Sequence, residues 1–215
     1  MIKNYVTNII VILLFGITIA GMVGMSIPET RTFYMDYTPE YLLLLFVVLM
    51  IYHKPWNRRF FTALIVILTT SLMIEIIGVN CGIPFGSYSY GSIFGITLCN
   101  TPLIIAINWF LLIYSIYVIS SFLQWHFLFR SLFGAGVVVL YDYIMEPVAT
   151  QLNWWNWSNS TIPNQNYIAW FAFSFIVLLL LHLNRIKVRN RMAAIILSVI
   201  FVFFIGLRLI MLFDL

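Results

Sequence analysis

Three carboxyl groups lie within apolar segments of the chain, where ionisable side chains are unusual: Glu75, Asp142 and Glu146. Ionisable groups inside membrane segments are costly and commonly mark functional sites. Asp142 and Glu146 are spaced four residues apart, so on a helix they share one face. A carboxyl group in apolar surroundings is suited to donate or accept a proton. The pattern predicts acid–base chemistry within a membrane.

Other polar residues map to the same depth as these carboxyl groups when the apolar segments are drawn as membrane-spanning helices. The predicted polar layer draws on several spans and comprises Glu75, Asn108, Asp142, Glu146, Asn166 and Arg208. A structural network is the alternative, in which Arg208 neutralises one carboxylate and the asparagines satisfy the others. With three carboxyl groups and one cation, at least one carboxyl lacks a charge partner, and this favours a functional site.

Residues 75–95 hold five glycines, one proline and two tyrosines after Glu75, and they carry no further charge. A lipid-facing helix does not need so many glycines, and a solvated loop is normally more polar. Non-helical backbone at membrane depth is tolerated where protein or a water-filled cavity satisfies it. We therefore expect an irregular loop that forms one wall of a buried site, with Tyr88 and Tyr90 facing the polar layer.

Aromatic side chains near the predicted layer point to the type of reaction. The candidate lining residues are Tyr88, Tyr90, Trp109, Trp154, Trp155, Trp157 and Trp170. Aromatic faces attract cations. A general acid among aromatic faces suits a reaction that protonates an alkene and shelters the resulting carbocation.

Several other chemistries fit the sequence less well. The three histidines, His53, His126 and His182, lie at the predicted cytoplasmic ends of the spans, which argues against an iron or zinc cluster. No predicted span contains a lysine, so a retinal Schiff base is excluded. An aspartate-rich pair for magnesium-bound diphosphate is also missing from the sequence. We expect neither a metal nor another cofactor.

The composition describes a membrane protein that forms a single domain over residues 1–215. The chain is 63% hydrophobic and 8% charged, whereas soluble domains are about 25% charged. Seven apolar runs are long enough to be membrane spans, so the sequence predicts an all-α, multi-pass helix bundle. The predicted spans are residues 9–27, 38–53, 60–79, 102–123, 127–148, 167–184 and 192–212. The second is short, and it is either extended through residues 34–37 or tilted.

Basic residues collect on one side of this seven-span arrangement. They are Lys3, Lys54, Arg58, Arg59, Arg130, Arg185, Lys187, Arg189 and Arg191. The charged residues on the other side are Glu29, Arg31, Asp36, Glu40 and Asp214. The positive-inside rule then places the N-terminus in the cytoplasm and the C-terminus outside. We expect the chain to lie in the cytoplasmic membrane. This distribution accounts for the net charge of +4 without a nucleic-acid partner. Cys81 and Cys99 fall in one loop region, where free thiols are favoured over a disulfide.

Two groups of residues resemble the membrane carotenoid biosynthesis protein family, which includes the carotenoid 1,2-hydratases. The first group is Glu75, Gly78, Gly82, residues 85–90 (Phe-Gly-Ser-Tyr-Ser-Tyr), Gly95, Pro102, Asn108 and Trp109. The second is Asp142, residues 146–149 (Glu-Pro-Val-Ala), Trp155, Asn156, Trp157, Ile162, Pro163, Gln165, Asn166, Tyr167, Ala169 and Trp170. The resemblance covers about residues 60–185, and the remaining spans match only as apolar helices.

The resemblance implies hydration of the terminal 1,2 double bond of an acyclic, lycopene-like carotenoid. It implies no cofactor, and the expected partners are the carotenoid, membrane lipid and other enzymes of the pathway. Our hypothesis assigns Asp142 as the acid and Glu75 or Glu146 as the base that orients water. The residues expected to bind substrate are Tyr88, Tyr90, Asn108, Trp109, Trp155, Trp157, Asn166, Trp170 and Arg208.

Two alternatives remain open at this point. A carotenoid cyclase also begins by protonating an alkene, but an internal alkene captures its cation and the product gains no water. A non-catalytic small-molecule-binding component of a vitamin importer would have few spans and an outward-facing pocket, and it would need no acid pair.

Overall fold

A computed structural model describes the backbone of residues 2–213 and the side chains of residues 5–213. Asp214 and the side chain of Lys3 lie outside this part. The helices are α1 (Ile2–Ser26), α2 (Pro28–Asp36), α3 (Thr38–Ile51), α4 (Arg58–Cys81), α5 (Ile104–Ser120), α6 (Phe127–Gln151), α7 (Asn164–Leu183) and α8 (Met192–Leu212). Four short strands are β1 (Tyr88–Tyr90), β2 (Thr97–Leu98), β3 (Thr101–Pro102) and β4 (Trp155–Trp157), and Ser92–Phe94 forms a 3₁₀ turn.

Each predicted span coincides with a helix, but the helices differ in whether they could cross a membrane. Within residues 2–213, α1, α4, α6, α7 and α8 are long and apolar enough to span a bilayer. Helices α2 and α3 would form a sixth span together, although they meet at a bend of 48°. Helix α5 has only 17 residues. The all-helical architecture is confirmed, whereas the count of seven spans stays a prediction.

Helix α5 occupies the centre of the bundle. It packs against α3, α4, α6, α7 and α8, and every residue from Trp109 to Val118 is buried. A helix that is apolar on all sides is typical of such a central position. The other helices surround α5 and leave apolar side chains exposed on the outside of the bundle, as lipid contact requires.

The two loops that carry most of the predicted cytoplasmic charge touch each other. Lys54 and Arg189 exchange backbone hydrogen bonds, with N–O distances of 3.1 and 2.6 Å. Next to this bridge, the buried His53 ring lies 2.6 Å from the Tyr114 hydroxyl of α5. The loop after α3 and the loop after α7 therefore lie at the same end of the bundle, as the distribution of basic residues predicts.

Capping residues fix both ends of α4, the helix that carries Glu75. The Asn57 side chain accepts a hydrogen bond from the Phe60 amide at 3.0 Å, which is the usual N-cap arrangement. At the other end, Gly82 adopts a left-handed conformation with φ of 70° and closes the helix with a bond to the Gly78 carbonyl. The chain then turns back over the end of the bundle.

The glycine-rich loop is more regular than the sequence predicts. Strand β1 within it pairs antiparallel with β4, which comes from the loop between α6 and α7. Tyr88 lies opposite Trp157, and Tyr90 lies opposite Trp155. Because side chains alternate along a strand, these four aromatic residues share the face that points into the bundle. Two loops far apart in sequence are thus joined above the ends of α4 and α6.

Candidate active site

A small cavity lies beneath the β1–β4 pair, between two of the three membrane carboxyl groups. Its volume is about 30 Å³. Its wall comprises Glu75, Phe85, Tyr88, Tyr90, Ile105, Asn108, Trp109, Met145, Glu146, Trp155, Trp157, Asn166 and Trp170. A space of this size holds one or two water molecules and is too small for an isoprenoid end group. Most of the residues that the sequence predicts to bind substrate therefore surround a cavity large enough only for one or two water molecules.

Glu75 is held by three hydrogen-bond donors. Its Oε2 atom accepts bonds from the Tyr88 hydroxyl at 2.5 Å and the Tyr90 hydroxyl at 2.8 Å. Its Oε1 atom accepts a bond from the indole nitrogen of Trp109 at 2.8 Å. Donors to both oxygens fix the orientation of the carboxyl group. The expectation that Tyr88 and Tyr90 face the polar layer is confirmed.

Glu146 is held by the partner strand. Both Trp155 and Trp157 donate indole hydrogen bonds to its Oε2 atom, at 3.0 and 2.9 Å. Its Oε1 atom has only a long contact of 3.4 Å with the side-chain nitrogen of Asn166. This oxygen is the less constrained of the two, so it is the better placed to exchange a proton.

Asp142 lies behind this arrangement and does not line the small cavity. Its Oδ2 atom accepts a hydrogen bond from Asn166 at 2.7 Å, whereas its buried Oδ1 atom has no partner within that structure. Asn166 thus bridges Asp142 and Glu146. The structure places Asp142 in the carboxyl cluster but not on the wall of the cavity. An acid must contact its substrate, and this geometry does not support such contact for Asp142.

Arg208 is not part of the carboxyl cluster. Its Nη1 atom donates to the backbone oxygen of Tyr143 at 2.8 Å, and its guanidinium lies 4.9 Å from the centre of the Tyr143 ring. Pro147 within α6 has no amide hydrogen to donate to Tyr143, so Arg208 satisfies a carbonyl that the helix leaves free. Within residues 5–213, the polar layer lacks the cation that the sequence predicts.

Aromatic packing encloses the rest of the cavity. The Trp109 and Trp170 rings stack with centroids 4.0 Å apart and an angle of 27° between their planes. Asn108 lies beside them on the wall of the cavity. Burial raises the pKa of the Tyr88 and Tyr90 hydroxyls, and the negative charge of Glu75 raises it further. Both tyrosines therefore remain hydrogen-bond donors across the physiological pH range.

A second, larger space adjoins the small cavity and was not foreseen from the sequence. This apolar chamber has a volume of about 470 Å³ and lies between α1, α2, α3 and α8. It shares Ile105, Asn108, Met145 and Trp155 with the small cavity. Additional lining residues are Thr18, Tyr34, Tyr37, Thr38, Tyr41, Trp154, Phe203 and Phe204. Residues 34, 37, 38 and 41 span the bend between α2 and α3, so helical spacing in the sequence did not reveal their common position on this wall.

Among residues 2–213, no group of three or more histidine, cysteine, aspartate or glutamate side chains is arranged to hold a metal ion. The three carboxyl groups lie near one another, and tyrosine, tryptophan and asparagine donors contact most of their oxygens, whereas the Oδ1 atom of Asp142 has no partner within the described structure. The site is arranged for proton transfer and hydrogen bonding.

A family model described as "Carotenoid biosynthesis protein" matches residues 37–214. The chain belongs to the carotenoid biosynthesis protein family. The match includes the carboxyl cluster, strands β1 and β4, which together form a lid over the small cavity, and the α3 and α8 walls of the chamber. Helices α1 and α2 precede the match. The predicted family membership is confirmed.

One curated relative is the bisanhydrobacterioruberin hydratase of Haloarcula japonica. It is 27% identical over 132 residues, which are 58% of this chain and 45% of the relative. The chain therefore spans less than half of the length of that relative. No solved structure matches the chain. The family and this relative together support a carotenoid-modifying enzyme.

Proposed function

We propose that this membrane enzyme hydrates the terminal 1,2 double bond of an acyclic, lycopene-like carotenoid without a cofactor. The observation that carries the proposal is the water-sized cavity between Glu75 and Glu146, which adjoins an apolar chamber. A hydration reaction needs both an enclosed water and an alkene at the same acid. The name of the hydratase relative agrees with this reaction class.

In the proposed first step, the Glu146 carboxyl group gives its proton to C2 of the alkene. The two π electrons form the new C2–H bond, and C1 becomes a tertiary cation. Glu146 is the better candidate for the acid because it lines the small cavity, whereas Asp142 does not. Asp142 acts as a positioning residue that holds Asn166 against Glu146.

In the proposed second step, a water molecule in the small cavity attacks C1. Its oxygen forms the C1–O bond, and Glu75 accepts the proton that leaves the oxygen. The product is a tertiary alcohol, and one water has been added with no oxidation or reduction. Transfer of the proton from Glu75 back to Glu146 through cavity water restores the enzyme. The Trp155 side chain, which lines both the chamber and the small cavity, offers an aromatic ring that stabilises the cation between the two steps.

The proposed setting is the cytoplasmic membrane, with seven spans and the N-terminus in the cytoplasm. The carboxyl cluster then lies toward the outer end of the bundle. A conjugated chain could cross the bilayer with one end in this cluster, next to other enzymes of the pathway. The number of water molecules in the product reports whether one or both ends react.

The test is expression of the chain in a lycopene-producing host, followed by mass analysis of the pigments. We expect products heavier than lycopene by one or two water molecules, and we expect Glu146→Gln to abolish them. Glu29→Gln is the control, because Glu29 is exposed and lines neither cavity. A product of unchanged mass would instead indicate a cyclase. Unaltered pigment with a copurifying water-soluble vitamin would indicate the transporter component.

A further inference from the structure

Two basic residues lie directly opposite each other at the end of the bundle where α4 begins, whereas Glu75 lies near the other end of that helix. Lys54 follows α3, Arg189 follows α7, and their two backbone hydrogen bonds make them an antiparallel pair. Residues paired in this way hold their side chains next to each other, and like charges in such positions repel. Both residues are exposed. The fold therefore maintains this pair at an electrostatic cost.

A buried hydrogen-bond network fixes the backbone on both sides of the pair. His53 precedes Lys54 and is 0% exposed, and Asn190 follows Arg189 and is 6% exposed. The Tyr114 hydroxyl lies 2.6 Å from Nδ1 of His53 and is contacted by Nδ2 of Asn190 at 3.2 Å. The two neighbours of the charged pair thus share one buried hydroxyl. The pair is a preorganised part of the fold and not a chance contact between two loops.

The chain supplies no negative charge to this region. None of its seven acidic residues lies between residues 41 and 74 or between residues 147 and 213, the ranges that contain both loops. Further exposed basic residues in these ranges are Arg58, Arg59, Arg185 and Lys187. The charge that offsets the repulsion between Lys54 and Arg189 must therefore come from a ligand or from solvent ions.

The apolar surroundings of the pair indicate which ligand fits. Ile51 ends α3 and is 68% exposed, and Leu183 ends α7 and is 51% exposed. Trp56, two residues after Lys54, is 49% exposed, and tryptophan is enriched where protein meets the membrane interface. A soluble anion or an acidic peptide would use only the charged part of this surface. A lipid with a net negative headgroup matches both parts, because its phosphate and its hydrocarbon are covalently joined.

We propose that Lys54 and Arg189 together bind the phosphate of an anionic phospholipid, whose acyl chains lie along the exposed ends of α3 and α7. Arginine can contact a phosphate with two parallel hydrogen bonds, and lysine adds a compact charge beside it. The lipid links the two loops and stabilises the folded state, because the unfolded chain does not hold the two cations together. This site is separate from the carboxyl cluster and takes no part in the proposed hydration.

The experiment measures thermal unfolding of the full-length protein in nanodiscs of phosphatidylcholine alone and of phosphatidylglycerol alone. We expect Tm to be about 5 °C higher in phosphatidylglycerol. Lys54→Gln and Arg189→Gln should each remove about half of this difference or more, whereas Lys54→Arg should keep it. These variants should still fold, because the pair is joined through backbone atoms. Equal Tm values of the wild type in the two lipids would overturn the inference.

The matched control is Arg130→Gln, which removes one positive charge from the first turn of α6. The Arg130 side chain donates to the Trp125 carbonyl and is not part of the pair. If Arg130→Gln reduces the difference in Tm as much as Lys54→Gln does, the attraction is diffuse and the inference is wrong. Inorganic phosphate added to phosphatidylcholine nanodiscs tests for a soluble anion, and an equal rise in Tm would overturn the assignment to a lipid.

Native mass spectrometry gives a second measurement that does not depend on stability. After exchange into detergent, the wild type should retain phosphatidylglycerol, and Lys54→Gln and Arg189→Gln should retain less of it than Arg130→Gln does. Equal retention in all three variants would contradict the proposal.

Discussion

The Tyr88 hydroxyl donates a hydrogen bond of 2.5 Å to the Glu75 carboxyl group, across 13 residues of chain. The left-handed Gly82 ends α4 and allows the chain to reverse, and the pairing of β1 with β4 then turns Tyr88 inward. The relative positions of the Glu75 carboxyl group on α4 and the Tyr88 hydroxyl on β1 thus depend on the turn at Gly82. The conformation of the loop after α4 therefore determines the hydrogen bonding of the Glu75 carboxyl group.

Tyr88→Phe should lower kcat for hydration by about 10-fold to 100-fold, because hydrogen bonds to charged groups contribute about 1.5–3 kcal/mol. Steady-state kinetics with the purified enzyme measures this effect. The control is Tyr117→Phe, which removes another buried hydroxyl whose bond to the Ile186 carbonyl is 2.7 Å long. An equal loss of kcat in both variants would mean that stability, and not the contact with Glu75, is responsible.

Glu146→Gln should reduce turnover more than Asp142→Asn, by about 10-fold or more, since of these two carboxyl groups only that of Glu146 lines the small cavity. The amide introduced by Glu146→Gln cannot supply the proton. The amide introduced by Asp142→Asn keeps an oxygen that can still hold the Asn166 side chain in place. The measurement is single-turnover formation of the hydrated product. If Asp142→Asn is the more damaging variant, then Asp142 is the acid and the assignment to Glu146 is wrong.

Gly78→Ala should disturb the lid, because a Cβ atom at this position would lie 2.7 Å from the Phe85 ring and 3.0 Å from the Tyr88 hydroxyl. We expect about a 10-fold loss of turnover, since Tyr88 would move away from Glu75. Gly136→Ala in α6 is the matched control, where nothing lies within 4 Å of the added atom. That control should be neutral or stabilising by up to about 1 kcal/mol in thermal unfolding, owing to the better helix propensity of alanine.

The stability of the protein should fall as the pH rises above about 10, the ordinary pKa of tyrosine. Burial raises the pKa of Tyr88 and Tyr90, so these hydroxyls keep their protons in the folded state while the unfolded chain loses them. Their contribution is therefore complete below about pH 10 and declines above it. Thermal unfolding in detergent between about pH 8 and pH 11 measures the slope. The double variant Tyr88→Phe, Tyr90→Phe should show a shallower decline than the wild type.

Much of the candidate site is predictable from the sequence because its polar groups stand out against apolar surroundings. Glu75, Asp142 and Glu146 each interrupt a hydrophobic segment, whereas Asn166 directly precedes one. Counting along the predicted spans places all four at a common depth. Arg208 meets the same criteria, yet it contacts the Tyr143 carbonyl. Depth and polarity indicate that a residue is buried near others, but they do not distinguish a site residue from one that satisfies backbone.

The pairing of β1 with β4 and the apolar chamber are harder to predict. Each of these strands has only three residues, and they lie in separate loops, so their register depends on how α4 and α6 are arranged. The chamber is lined mainly by apolar side chains of α1, α3 and α8, which resemble lipid-facing residues in sequence. Only the packing of the bundle distinguishes an internal surface from an external one.

The volume of the small cavity has a consequence for the selectivity of the proposed reaction. A carbocation in contact with bulk solvent can lose a neighbouring proton or react at several carbons of a polyene. A space of about 30 Å³ admits one or two water molecules and lies at one point of the wall beside Asn108. The position of attack and the balance between addition and elimination would then be governed by the supply of a single nucleophile. Enlarging this space, for example with Met145→Ala, should reduce both the selectivity for one carbon and the preference for addition over elimination.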